Sequence, residues 1–296
     1  MYVITGASGH TGERAALQLL EAGKEVVVIG RSAERLAGLV AKGARAAIGD
    51  LSDAAFLTQT FTGATGVYAL IPPNFGAEDF RAYQNAIATA IATAVREAAV
   101  PNVVTLSSIG AHSPETGVVG GLYDFEQKLA TEAPNANVLH LRAGFFMQNF
   151  LGNIGLIKGM GINGGFPVNA DIKTPIVHTN DIGDAAAKHL LALDFKGHSH
   201  TYVAGATDLT MAEATAILGD AIGKPELPWV TFSYEDAYNG MVHAGLGSSV
   251  AEGYVQFSRA TNDGILLSDY ARKAEYTTPT TLEHFAKAEF AVAFQG

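Results

Sequence analysis

The chain has 296 residues, 48% of them hydrophobic and 16% charged, enough apolar content for one large core or two modest ones. A net charge of −10 with no basic run excludes a phosphate backbone as the main partner. The lack of cysteine excludes disulfides, thiolate nucleophiles and cysteine-held metals. No basic-then-apolar leader opens the chain and no apolar run approaches the roughly 18 residues of a membrane span, so a cytoplasmic protein is expected.

Tyr2-Val3-Ile4 reads as a short buried strand ended by Thr5-Gly6, and "GERAALQLLEAG" from Gly12 as a helix with a glycine stop. "GASGHTG" therefore joins a strand to a helix, with Gly6, Gly9 and Gly12 spaced G-x-x-G-x-x-G. Such a corner gives a tight turn, close backbone approach to a pyrophosphate and close helix–strand packing, while the helix N-terminus offers free N–H groups. Ser8, His10 and Thr11 can add side-chain hydrogen bonds.

"EVVVIGRS" is a second strand, about 20 residues beyond the glycines, where a dinucleotide fold reads the adenosine ribose. No carboxylate closes it. Arg31 and Ser32 stand there instead, which suits the 2′-phosphate of NADP better than the 2′-hydroxyl of NAD. "ARAAIGDLSD" gives a third strand, with Asp50 and Leu51 placed to border adenine. "GVYALIPP" gives a fourth, broken at Ile71, Pro72 and Pro73 where a cofactor would pass. A helix from Phe80 to Ala99 and a fifth strand, "NVVTLSSIG", closed by Ser107 and Ser108, complete the alternation. Right-handed crossovers make this a doubly wound parallel sheet of Rossmann type, with its ligand beyond the carboxyl ends of the strands.

Past Phe150, "GNIGLIKGMGINGGFPVNAD" reads as an irregular, mobile stretch. Helices are expected around 181–193, 210–222, 234–244 and 248–262 and near the C-terminus, with short strands at "HTYVAG" and "WVTFS". This divides the chain into a dinucleotide-binding domain, 1–150, and a smaller mixed α/β lobe, 151–296, that covers the substrate and does not fold alone.

The pattern resembles the atypical short-chain dehydrogenase/reductases, in particular the NmrA-like group, over nearly the whole chain. The likeness rests on "VITGASGHTG", "GRS", "GDLSD", "SSIGA", "LRAGFFMQNF" from Leu141 to Phe150, "PIVHTNDIGDAAAKHLL" from Pro175 to Leu191, and the late helical segment from Val230 to Phe257. The first half of that set is family-wide, and "LRxxFFMxN" is more specific to this group. The group contains NADPH-dependent quinone, azo-dye and triphenylmethane reductases as well as non-catalytic transcriptional regulators. The resemblance implies that Gly6, Ser8, Gly9, His10, Thr11 and Gly12 hold the pyrophosphate, and Arg31 and Ser32 the 2′-phosphate. It places Asp50 and Leu51 at adenine, Ile71 and Pro72 along the cofactor, and Ser107 near the nicotinamide. Phe145 and Phe146 would floor the substrate pocket.

Ordinary short-chain dehydrogenases use Tyr-x-x-x-Lys to tune a phenol for proton exchange. None of the ten tyrosines has lysine four residues later. Tyr123, the candidate catalytic phenol, precedes Lys128 by five residues, an offset of about 140° around a helix, and Glu126 is its better neighbour. Hydride transfer to an already electrophilic acceptor has no need of the pair. Phe75, Phe145, Phe146 and Met147, with Phe150, could supply the stacking surface, although a run of three consecutive residues cannot share one face.

His198 and His200 begin a metal site for which no third ligand is evident, and no metal is expected. Asp181 reads as a structural carboxylate at a helix N-terminus. The expectation is an NADPH-dependent reductase of a small planar electrophile, with NADP(H) preferred over NAD(H). The alternative is a non-catalytic redox sensor. Beyond the substrate, the expected partner is a second copy of the chain or a regulatory protein, with neither nucleic acid nor membrane.

Overall fold

The computed structural model describes residues 1–296. The first half alternates as the periodicity requires: β1 (Tyr2–Ile4), α1 (His10–Glu21), β2 (Val26–Gly30), α2 (Ala33–Ala41), β3 (Arg45–Ile48), α3 (Ala54–Phe61), β4 (Gly66–Ala69), α4 (Phe80–Glu97) and β5 (Asn102–Ser108). Short polar residues start the helices. Asp53 accepts from the amides of Ala55 and Phe56 ahead of α3, and Asp79 from that of Ala82 ahead of α4. Then follow α5 (Gly120–Glu132), β6 (Asn137–Ala143), β7 (Phe145–Phe146), α6 (Ile154–Met160), β8 (Asn163–Gly164), β9 (Thr174–Val177), α7 (Thr179–Ala192) and β10 (His198–Val203). The remainder is β11 (Asp208–Leu209), α8 (Met211–Ala221), β12 (Trp229–Val230), α9 (Tyr234–His243), α10 (Ser248–Asn262), α11 (Leu282–Phe285) and α12 (Ala291–Gln295). A π turn over Ala286–Phe290 joins the last two.

Seven strands form one sheet in the order β10-β6-β5-β4-β1-β2-β3, all neighbours parallel. The strand order reverses between β1 and β4, which opens a crevice at their carboxyl ends. Both faces are covered, as a parallel sheet requires. Ala15, Ala16 and Leu19 of α1 pack with Ile182, Ala186 and Leu190 of α7 on one face. Leu57 and Phe61 of α3, Ile91 of α4 and Phe125 and Leu129 of α5 pack on the other.

The division at residue 150 is corrected by where the chain goes afterwards. The apolar stripe of α7 needs a sheet face and finds it beside α1, where Arg14 and Asp184 also pair at 2.6 Å. β10 pairs with β6 over six residues, His198 with Val138 through Val203 with Ala143, so it extends the main sheet. The smaller lobe is thus built from residues on either side of that return. Its own core joins Met147, Phe150 and Ile157 to Met211, Leu218, Phe285 and Phe290.

The stretch expected to be irregular carries ordered elements as well. α6 closes at Gly161 with φ +69°, and Asn163–Gly164 pairs with Trp229–Val230. The glycines there end helices and permit close approach; they do not prevent structure.

Candidate functional site

The β1–α1 corner gives its three glycines three different roles. Gly6 has φ +59°, open to glycine at little cost, and makes the turn against the Leu70 side chain. A Cβ at Gly12 would lie 2.5 Å from the Gly6 carbonyl oxygen, so Gly12 lets the helix close on the strand. A Cβ at Gly9 would meet only that oxygen, at 3.4 Å, and otherwise face open space. α1 starts at Gly9 with no side-chain cap, and no backbone carbonyl accepts from the amides of His10, Thr11 or Gly12. Free N–H groups and the positive end of the helix dipole therefore stand at a turn where Ser8 is half-buried and Gly9 and His10 are exposed. The side chain of Thr11 is a correction. It is buried, and its Oγ1 accepts from the Tyr68 hydroxyl at 3.2 Å, which ties α1 to β4 and leaves only its amide for a ligand.

Arg31 follows β2 and is exposed, while the Oγ of Ser32 accepts from the Arg35 amide at 3.5 Å to start α2. Asp50, beyond β3, accepts from the amide and hydroxyl of Ser52 at 2.9 and 2.7 Å. Those two bonds, helped by the nearby Arg31 charge, hold its carboxyl below the usual range. Leu51 and Ile71 pack half-buried against the α3–α4 core. Tyr83, which the sequence reading did not single out, donates to the Pro72 carbonyl at 3.1 Å. Burial pushes its phenol up, and it feels the charges of both Arg31 and Asp50. Its sequence signal is its place in the first turn of the helix after Pro72-Pro73. These residues could hold a dinucleotide: an uncapped helix N-terminus can take a pyrophosphate, and an exposed guanidinium can pair with a phosphate.

At the other end, Ser107 is buried and donates to Glu126 Oε1 at 2.6 Å. Arg142 of β6 binds the same carboxylate, Nη2 to Oε2 at 2.7 Å and Nε to Oε1 at 3.2 Å. It also reaches Asp269 Oδ2 at 2.8 Å, and the Tyr202 hydroxyl donates to that oxygen at 2.7 Å. Burial works against the guanidinium's charge, but Glu126 and Asp269 outweigh it and raise the Arg142 pKa. Two expectations change here. The Ser107 hydroxyl is committed between sheet and α5, and Glu126 serves Arg142 instead of Tyr123. A buried guanidinium needs carboxylate partners more than a half-exposed phenol does. Tyr123 itself is half-buried and makes no hydrogen bond through its hydroxyl, and no lysine stands four residues after it. The signal available beforehand was an arginine inside the apolar run "NVLHLRA".

The extended backbone of β7 sends Phe145 and Phe146 to opposite sides. Phe145 meets the core of the smaller lobe and Phe146 the core beside α1 and α7. Met147 is a correction: it is 1% exposed and lies within the smaller lobe's core, with Phe150 beside it, so it cannot line a pocket. Phe75 is exposed and its ring joins no stack, although its carbonyl accepts from the Gly247 amide at 2.8 Å. The aromatic contacts at this end involve other residues as well. Phe145 meets Phe150 edge-on at 5.3 Å between centroids and Phe166 edge-on at 6.3 Å; Phe166 meets Tyr254 of α10 at 5.4 Å. Phe166 and Tyr254 were not expected, because nothing local marks two aromatics 88 positions apart as neighbours. His198 and His200 lie on β10, with His200 opposite His140 of β6. Asp181 accepts from the amide and hydroxyl of Thr280 at 3.1 and 2.6 Å and anchors the C-terminal segment to α7.

No helix is long and apolar enough to cross a membrane. The chain is 28% identical over 301 residues to the NAD(P)H azoreductase of Xenophilus azovorans, with 98% of each chain covered. Its fold matches an NADPH-dependent quinone oxidoreductase from Escherichia coli complexed with NADPH, at TM-score 0.79 and 20% identity over 98% of this chain and 100% of that one. It also matches the Citrobacter sp. triphenylmethane reductase complexed with NADP(H), at TM-score 0.77 and 20% identity over 97% of this chain and 99% of that one. Residues 2–286 match the NmrA-like family, and with the glycine corner, the reversal of strand order and the "LRAGFFMQNF" strand end all in place, the chain belongs to that family.

Proposed function

We propose that the protein is an NADPH-dependent reductase that passes hydride to a quinone or a similar planar electrophile. The observation that carries this reading is that an uncapped, glycine-opened helix N-terminus follows β1 and an aromatic cluster follows β6, both past the carboxyl ends of strands of one parallel sheet, with no Tyr-x-x-x-Lys pair. The names of its relatives, an azoreductase, a quinone oxidoreductase and a triphenylmethane reductase, support it.

The backbone of Gly6 to Gly12 would hold the pyrophosphate, Arg31 and Ser32 the 2′-phosphate, and Asp50, Leu51, Ile71, Pro72 and Tyr83 the adenosine side. The reduced nicotinamide, when bound, supplies the hydride. The protein's part is to orient a flat acceptor against the Phe145–Phe166–Tyr254 wall and to exclude water from it. The smaller lobe, without the returning α7 and β10, is the substrate-binding part.

Steady-state NADPH oxidation against a panel of quinones, azo compounds and cationic dyes tests the reading. Turnover with at least one class is expected. Measurable cofactor binding without turnover would overturn it. That outcome would favour the second reading, a redox sensor. One observation supports the sensor: Ser107, the hydroxyl at the end of β5, is sequestered by Glu126. A sensor would show partner binding that changes between NADP⁺ and NADPH.

A further inference from the structure

The aromatic wall ends in a group that stacking alone does not need. Tyr254 is half-buried, its ring tilted 44° against that of Phe166, and its hydroxyl makes no hydrogen bond within the chain. Burial pushes its phenol up, so it keeps its proton.

The location of α10 is well fixed from three sides. Gly247 at its start donates to the Phe75 carbonyl at 2.8 Å, on the loop leaving β4. Ser249 Oγ accepts from the Phe80 amide at 3.0 Å. Gly253 packs directly on Gly117, on the segment leaving β5, so closely that a Cβ at Gly117 would collide with the Gly253 carbonyl. Phe145, which follows β6, closes the third side through Phe166. α10 therefore packs on the segments that leave the carboxyl ends of β4 and β5, and the Tyr254 ring is joined through Phe166 to Phe145 just beyond β6, on the side where a parallel sheet presents its ligand.

From this placement we infer that the Tyr254 hydroxyl is the hydrogen-bond donor to the acceptor oxygen that becomes negative when a quinone is reduced. The inference rests on the reductase reading. A quinone gains one hydride, that is two electrons and one proton, from the reduced nicotinamide and becomes the hydroquinone monoanion. The charge left on the hydroquinone monoanion is met by the Tyr254 O–H while it is bound, and the proton that completes the hydroquinone comes from water once the product is released to solvent. A donor placed where charge develops acts through electrostatic stabilisation without giving up its own proton. A cationic triarylmethyl dye accepts the same hydride on carbon and becomes neutral, with no oxyanion for Tyr254 to serve. The two acceptor classes should therefore depend on this hydroxyl unequally.

The test compares the full-length wild-type and Tyr254→Phe proteins with NADPH and two acceptors, a benzoquinone and a cationic triarylmethyl dye. Phenylalanine keeps the ring contact with Phe166 and removes only the donor. Quinone kcat is expected to fall by about 10²-fold, the scale for losing one oxyanion donor, and dye kcat far less. Tyr254→His, which retains a donor, should recover part of the quinone rate. A readout independent of turnover is the titration of a hydroxynaphthoquinone anion by its visible absorption, in which binding should weaken about tenfold in Tyr254→Phe.

Equal loss for both acceptors, or no loss for either, would overturn the inference. Failure of the wild-type protein to oxidise NADPH with any acceptor would instead overturn the reductase reading. The anion titration would then decide Tyr254 alone, with unchanged affinity in Tyr254→Phe counting against it.

Discussion

Ser107 and Glu126 meet at 2.6 Å, between the sheet and α5, where neither is open to the crevice. Their contact is one arm of a network that neutralises the Arg142 guanidinium and ties β5, β6 and α5 to Asp269 near the C-terminus. Glu126→Ala leaves that guanidinium with Asp269 as its one carboxylate. Removing a partner from a buried ion pair costs about 3–5 kcal/mol, whereas Ser107→Ala should cost about 1 kcal/mol. Denaturant unfolding of both variants checks the ranking. A Glu126→Ala cost as small as that of Ser107→Ala would show that the network contributes little to the fold.

His140 lies on the same sheet face, with Nδ1 2.8 Å from Thr105 Oγ1. Burial, opposed by Glu126 and aided by His198, Arg142 and His200, lowers its pKa from 6.5 to about 4. The unfolded chain therefore binds a proton below pH 6.5 that the folded chain refuses until about pH 4. Stability from this residue is complete above pH 6.5 and is lost as the pH falls towards 4, by about 3 kcal/mol in all. Unfolding measured between pH 7.5 and 4.5 should show the loss, and His140→Gln should flatten that slope. An unchanged slope would place the titration elsewhere.

The three glycines of the corner separate folding from binding. Gly12→Ala places a methyl 2.5 Å from the Gly6 carbonyl oxygen, a backbone atom with no freedom to yield, and should destabilise by about 1–3 kcal/mol. Gly9→Ala meets only one atom, at 3.4 Å, so the melting temperature should hold while NADPH affinity falls. Thermal melts and calorimetric titration on the two variants distinguish these effects. Loss of stability in Gly9→Ala, or full NADPH binding by it, would contradict the assignment.

Arg31 stands exposed at the end of β2 with no ion-pair partner of its own. If it reads the 2′-phosphate, Arg31→Ala should weaken NADPH binding by about tenfold to a hundredfold and leave NADH binding nearly unchanged. Calorimetry with both nucleotides gives the answer. An equal loss for both would show that Arg31 serves the pyrophosphate or the fold.

Much of the fold was legible because its determinants are local. Apolar runs ended by Gly6, Gly30 and Gly49, helical stripes between them and the short links together force a parallel sheet and locate its ligand edge. The tight turn at Gly6 and the close helix–strand packing at Gly12 follow from spacing. Thr11 was misread because a threonine in the first turn can face the ligand or the strand, and only the presence of Tyr68 below decides which. Met147 was misread because its neighbours Phe145 and Phe146 look alike on paper. The short β7 and the turn after it rotate each into a different environment.

What the chain determines by itself, then, is the alternation of strand and helix and the conformational freedom of its first turn, since both depend on residues within a few positions of each other. What tertiary structure decided is who meets whom at long range. It returned β10 to the main sheet, enclosed Arg142 between Glu126 and Asp269, and brought Tyr254 to Phe166. Those pairings depend on burying charge and apolar area together across as many as 127 positions, a condition that no local pattern encodes.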